Sequence, residues 1–135
     1  MMIFREIRFW FLAIFLVGQW LCIPDVRAEW IRFSENELGD IFFYETGSVK
    51  KDSHPIVWIL INFQHPLKLN KSVVQSTKIM VQVFCKDRSI RELANFEYSG
   101  FNGQGKLVRS NELGGPWTPA AKETPEEDIY KILCS

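Results

Sequence analysis

The chain has 135 residues, with 16 Lys and Arg against 16 Asp and Glu. A balanced charge excludes the broad basic field that draws nucleic acid or an anionic membrane. The length allows one domain and little more.

Residues 1–28 read as a signal peptide. Arg5 and Arg8 precede an apolar run from Phe9 to Ile23, and Val26-Arg27-Ala28 supplies the small residues of a cleavage site. The run is 15 residues long, short of the roughly 20 needed to span a bilayer. Cys22 follows Gln19-Trp20-Leu21, which is no lipobox because the residues beside such a cysteine are small. Cleavage after Ala28 leaves a domain of residues 29–135 with 13 basic and 14 acidic residues, a net charge of −1.

Glu29–Phe33 is short and aromatic, a first strand with Trp30 expected in the core. Gly39-Asp40 marks a turn, and Ile41–Glu45 is rich in strand formers. Val49-Lys50-Lys51 has the lysines of an edge strand. Ile56–Phe63 is the most apolar run of the domain and predicts a central strand covered on both faces, ended by His65-Pro66. Leu67–Thr77 is polar and expected to be a loop.

Between Lys78 and Tyr98 the pattern is that of a hairpin. Ile79, Val81, Val83 and Cys85 alternate with Met80, Gln82 and Phe84, the period of a strand. Lys86-Asp87-Arg88 breaks it, and Ile90, Ala94, Phe96 and Tyr98 resume it in a single phase. The glycine-rich stretch after Tyr98 predicts a flexible turn, Lys106–Ser110 a short strand, and Asn111–Pro119 a loop whose Trp117 packs inward.

Thr124-Pro125-Glu126-Glu127 starts a helix: Thr124 caps, Pro125 takes the first position, and Glu127 completes a capping box. The acids at 126–128 suit the positive end of the helix dipole. Ile129, Ile132 and Leu133 form one apolar face. A helix of two to three turns does not survive alone in water. Two cysteines, Cys85 and Cys134, remain after signal removal. An even count in an exported chain favours a disulfide, which would fasten this helix to the hairpin. Closing a loop of about 49 residues is worth about 4 kcal/mol by chain entropy. The fold class expected is α+β: a mainly antiparallel sheet of about six strands with a C-terminal helix tied to it.

Few motifs point to chemistry. Gly100–Lys106 matches G-x-x-x-x-G-K, but Leu107 stands where Ser or Thr is needed and a strand follows. A glycine turn explains it better than a phosphate loop. His54 and His65 each precede proline, have no metal-ligand spacing, and read as solvated loop residues. Nothing marks a nucleophile elbow or a placed acid–base pair, so no enzyme, cofactor or metal is expected. Asn70-Lys71-Ser72 is a glycosylation sequon by pattern, meaningful only in a eukaryotic host. Lys86, Arg88 and Arg91 lie among Phe84, Phe96 and Tyr98. Such interleaving can be a platform for single-stranded nucleic acid, can bind acidic glycans or partner proteins, or can be a solvated connection above an aromatic core, which the balanced net charge favours.

From Trp30 to Cys134 the residues resemble the surface-adhesin protein E family of Gram-negative bacteria. The likeness runs through the N-terminal Trp30, Tyr44, Ser48-Val49, Val57-Trp58 and Ser76-Thr77-Lys78, and is most telling at Cys85-x-x-Arg88-x-x-Arg91. It continues through Tyr98, Gly103, Gly105, Trp117 and Cys134. The resemblance implies an antiparallel sheet with a disulfide-fastened helix. It also implies a non-enzymatic protein at the cell surface that binds laminin, vitronectin or plasminogen. Two residue patterns depart from the family: Val83-Phe84 before the cysteine, where an acid or tyrosine is common, and the missing lipobox. The second favours an alternative, a soluble periplasmic protein that binds another envelope component. Neither reading involves nucleic acid, and the membrane enters only through the N-terminal signal.

Overall fold

The computed structural model describes residues 29–50 and 52–135. The expected signal segment, and Lys51 of the expected edge strand, lie outside them. The strands are β1 (Trp30–Glu35), β2 (Ile41–Glu45), β3 (Ile56–Leu69), β4 (Ser72–Phe84), β5 (Ser89–Tyr98), β6 (Leu107–Asn111) and β7 (Thr118–Pro119). Among the described residues one α-helix, α1 (Pro125–Cys134), follows the strands. The sheet is an antiparallel meander in the order β1-β2-β3-β4-β5-β6, with β7 pairing the start of β5.

The two faces of the sheet differ. Val57 and Ile59 of β3, Ile79, Val81 and Val83 of β4, and Ile90 of β5 pack against Ile129 and Leu133 of α1. This is the core, and Ile129 is 1% exposed. Removing its side chain would leave a cavity of the kind that costs about 2–5 kcal/mol. Phe33, Phe42 and Tyr44 extend the core toward β1, with Phe33 set edge-on to both partners. The opposite face, called outer below, carries Trp58, Lys78, Met80, Phe96 and Tyr98, since Trp58 pairs Met80 and Lys78 pairs Phe96 across the ladder.

Three devices hold α1 on the sheet. The Cys85–Cys134 disulfide joins its last turn to the β4–β5 turn, with Cα atoms 5.6 Å apart. Tyr130 donates from its hydroxyl to the Cys85 carbonyl at 3.0 Å. Ser34 of β1 donates to Asp128 at 2.7 Å. The helix begins where capping chemistry places it, with Thr124 extended and accepting from the Glu127 amide. The Glu127 carboxylate takes Lys131 at 3.1 Å and Arg88 at 3.4 Å. The hydrogen bond from Lys131, helped by the Arg88 charge, holds this carboxyl below the ordinary range despite the opposing effect of desolvation.

The sheet departs from the sequence reading in four places. β3 does not stop at His65-Pro66, and Leu67–Thr77 is no loop. It forms the far end of a long β3–β4 hairpin whose two-residue turn is Asn70-Lys71, with Asn70 at φ 52°. Pro66 is tolerated because the ladder is interrupted between Asn62 and Leu67, where no amide is required. Trp30 lies on the outer face and not in the core, because it pairs Glu45 one step out of phase with Tyr44. Alternation in β5 is not in one phase. A bulge at Leu93 shifts the register between Met80 and Val81, so Ile90 faces α1 while Ala94, Phe96 and Tyr98 face outward. Val49-Lys50 forms no strand and contributes one bridge, Lys50 to Ile56.

The glycine-rich stretch after β5 is also not loose. Its 3-10 turn, Phe101–Gly103, folds over the outer face. Ser76, 0% exposed, donates to the Gly100 carbonyl and accepts from the Gly103 amide at 2.9 Å. Asn62 and Asn102 bond each other twice, each at 2.8 Å. Asn102 at φ 60° and Gly103 at φ 67° take the left-handed conformations the turn needs.

Reducing the disulfide, or Cys85→Ser, is expected to cost about 2–5 kcal/mol and release α1. Thermal unfolding with and without reductant measures it, and equal midpoints would contradict the role given to the bond. Glu127 has a depressed folded pKa, so its contribution is present above the unfolded value of about 4.3 and fades as pH falls below it. Denaturation midpoints measured between about pH 6 and 3 should fall less steeply for Glu127→Gln than for the parent chain. Ser76→Ala removes the buried hydroxyl that serves two half-buried backbone groups, the Gly100 carbonyl and the Gly103 amide, and should destabilise by about 1–3 kcal/mol. Faster amide exchange at Gly103 than in the parent would place that loss in the turn.

Candidate functional site

The basic residues around the β4–β5 turn are held in different ways. Lys86 is exposed in the turn, and no carboxylate among the described residues is within 4 Å of it. Arg88, at φ 51°, leans back onto α1, with its guanidinium 4.8 Å from the Tyr130 ring and 3.4 Å from Glu127. Arg91 belongs to the outer face. Both Nε and Nη2 donate to Gln82 Oε1, at 2.9 and 2.6 Å, and the guanidinium lies 4.6 Å from the Trp117 ring. A fork held by its cross-strand partner and stacked on an indole is pre-oriented for a ligand on its open side.

Trp117 does not pack inward as expected. It is 38% exposed and rests against Phe84 at 5.9 Å between ring centroids. β7, pairing Thr118 with Ile90, fixes the loop that carries it. His54 stacks on Phe84 at 4.3 Å and is half-buried, whereas His65 is exposed in β3. The histidines are therefore separated along β3 and share no site. His54, Phe84 and Trp117 were not legible as a group, because they come from three stretches joined only by strand register. The one local signal was a Trp placed directly after Pro116, whose ring fixes the backbone on its N-terminal side after two permissive glycines.

A second outer-face feature lies at the other end of β4. Trp30, Glu45, Trp58, Phe96 and Tyr98 line, with Lys78, an open cavity of about 270 Å³. Lys78 Nζ stands 5.7 Å from both the Trp30 and Tyr98 ring centroids. The core side has a groove of about 300 Å³ between α1 and the sheet, walled by Phe33, Ile61, Ile79 and Ile129. Glu92 lines it; partial burial raises its carboxyl above the ordinary range, against the bond from Asn95, though the residue as a whole stays exposed. Gly100–Lys106 is a connection between β5 and β6, as the glycine-turn reading had it. Among the described residues no three His, Cys, Asp or Glu side chains gather as metal ligands, and no helix is long and apolar enough to cross a membrane.

The architecture has solved counterparts. Crystal form II of Haemophilus influenzae protein E superposes with a TM-score of 0.62 at 17% identity, covering 83% of this chain and 91% of that one. A second structure of Haemophilus influenzae protein E gives 0.60 at 18% identity, covering 84% and 90%. The selenomethionine form gives 0.61 at 19%, covering 84% and 92%. At such identities the likeness is one of fold. No curated protein matches the chain significantly. The family model of surface-adhesin protein E matches residues 30–135, from the first residue of β1 to the end of the chain. With the match spanning every strand, the helix and the disulfide, the chain belongs to the surface-adhesin protein E family.

Proposed function

We propose that this is an exported adhesin that works by binding protein ligands and not by catalysis. The observation that carries the reading is the family match across the whole folded domain. Residues 1–28 act as a cleaved signal in this reading, so the folded part begins at Glu29. The contact surface is the end of the sheet around the β4–β5 turn. Arg91 stacked on Trp117 offers two of the residue types that dominate binding energy at interfaces, and Lys86, exposed in the adjoining turn, adds positive charge, while Arg88 is turned to Glu127 and Tyr130 of α1. Fixed by Gln82 and by β7, the pair loses little freedom on binding. Matrix or serum proteins with an acidic surface are the partners such a surface favours.

The Gln19-Trp20-Leu21 sequence before Cys22 favours a second reading, in which the protein stays in the periplasm and binds an envelope component. Protease treatment of intact cells, with intact-mass measurement of the mature chain, separates the two. The adhesin reading expects cleavage on intact cells, and retention on immobilised laminin, vitronectin or plasminogen. Trp117→Ala and Arg91→Ala should each weaken that retention about tenfold or more. A protected, soluble periplasmic protein that none of these ligands retains would overturn it.

A further inference from the structure

The cavity around Lys78 is built more rigidly than a solvated sheet face requires. Its walls come from β1, β3, β4 and β5, and its rings are Trp30, Trp58, Phe96 and Tyr98. Trp58 and Phe96 are neighbours at 5.9 Å across the sheet. The lysine stem passes directly over Gly103, where any side chain would overlap Lys78 Cε. That glycine is itself fixed by the fully buried Ser76 and by the Asn62–Asn102 pair. The ammonium is therefore directed between the Trp30 and Tyr98 rings, and among the described residues no carboxylate lies within 4 Å of it.

We propose that this cavity is a binding site for an acidic sugar unit, the carboxylate-bearing residue of a glycan. The chemistry of the lining selects that class. Aromatic faces on two sides accept the C–H faces of a flat saturated ring, and the indole N–H and phenol O–H groups at their edges serve its hydroxyls. Lys78 is a point charge with three donors, and it favours an anion over a neutral group. Glu45, which also lines the cavity, can accept from sugar hydroxyls and orients an anionic group toward Lys78 and away from itself. A volume of about 270 Å³ lies at the small end of ligand pockets and suits one ring, not a long chain. Strand addition is not what its floor offers, because β3 and β4 have ladder partners on both sides there; the sheet edge lies at β1, which contributes the Trp30 ring to the wall. The site is separate from the Arg91–Trp117 surface and does not depend on it for its ligand.

The test uses the protein purified from exporting cells, titrated with 3′-sialyllactose and with a hyaluronan tetrasaccharide. Lactose and the carboxyl-reduced tetrasaccharide are the neutral counterparts. Saturable perturbation of the Trp30 and Trp58 indole N–H resonances, with Trp117 unmoved, is expected for at least one acidic sugar, and a weaker response for its neutral partner. Lys78→Met, checked for an unchanged unfolding midpoint, should lose at least tenfold in affinity and the preference for acid over neutral sugar. Arg91→Ala should bind the sugar as the parent does while failing on protein ligands, which keeps this site distinguishable from the adhesin surface. No perturbation at millimolar concentrations, equal binding of the neutral sugars, or shifts confined to Trp117 would each overturn the proposal. Because the indole measurement is made on the parent chain, it decides the matter even if Lys78→Met fails to fold.

Discussion

A sheet six strands wide has two faces, and ten residues of helix are available to cover one of them. The Cys85–Cys134 bond decides which. It fixes the last turn of α1 to the β4–β5 turn, so Ile129 and Leu133 can lie only on the face that shows Val81, Val83 and Ile90. A helix this short has little stability of its own, and its apolar stripe and the sheet's are each other's only shelter from water. Tyr130, Ser34 and the Arg88–Glu127–Lys131 group then align the helix at both ends. The covalent link makes these weak contacts effective by removing the unfolded states in which they are far apart.

Once one face is committed to the helix, the other is left to water and to the Phe101–Gly103 turn. It is unusually aromatic for a solvated surface: Trp58, Phe84, Phe96 and Tyr98 lie along it, flanked by Trp30 and Trp117. Each end of this row carries one cation set against rings, Arg91 over Trp117 and Lys78 between Trp30 and Tyr98. The two cations differ in a way that matters. Arginine offers a planar fork suited to a protein surface, and lysine offers a compact charge suited to a small anionic group.

Strand alternation in Ile79–Phe84 and the Thr124 cap were legible in the sequence because local chemistry decides them, and the pairing of two leftover cysteines because their count left one choice. The errors share a different cause. Pro66, Trp30 and the single phase from Ile90 to Tyr98 were read by local rules, but the outcome at each depends on the neighbouring strand. A proline ends a strand only if the ladder needs its amide. An aromatic residue enters the core only if its register puts it on the inner face. Clusters on the outer face suffer most, since Lys78 meets Trp30 and Gly103 only after four strands and a turn are in place. The basic residues at 86, 88 and 91 were adjacent in the sequence, yet their partners, Glu127, Tyr130, Gln82 and Trp117, come from separate elements.

The bulge at Leu93 has a consequence for how such a domain can diversify. By slipping the alternation once, it divides β5 into two reading frames: before it the even-numbered residues, such as Ile90, face the helix, and after it the even-numbered residues, such as Phe96 and Tyr98, face outward. Substitutions at Phe96 or Tyr98 therefore leave the packing of Ile90 untouched, and the reverse holds as well. A lineage can rewrite what the outer surface recognises without renegotiating the core, provided the extra residue is kept. Losing that single residue would force one half of the strand into the other's frame, burying a ligand-facing side chain or exposing a core one.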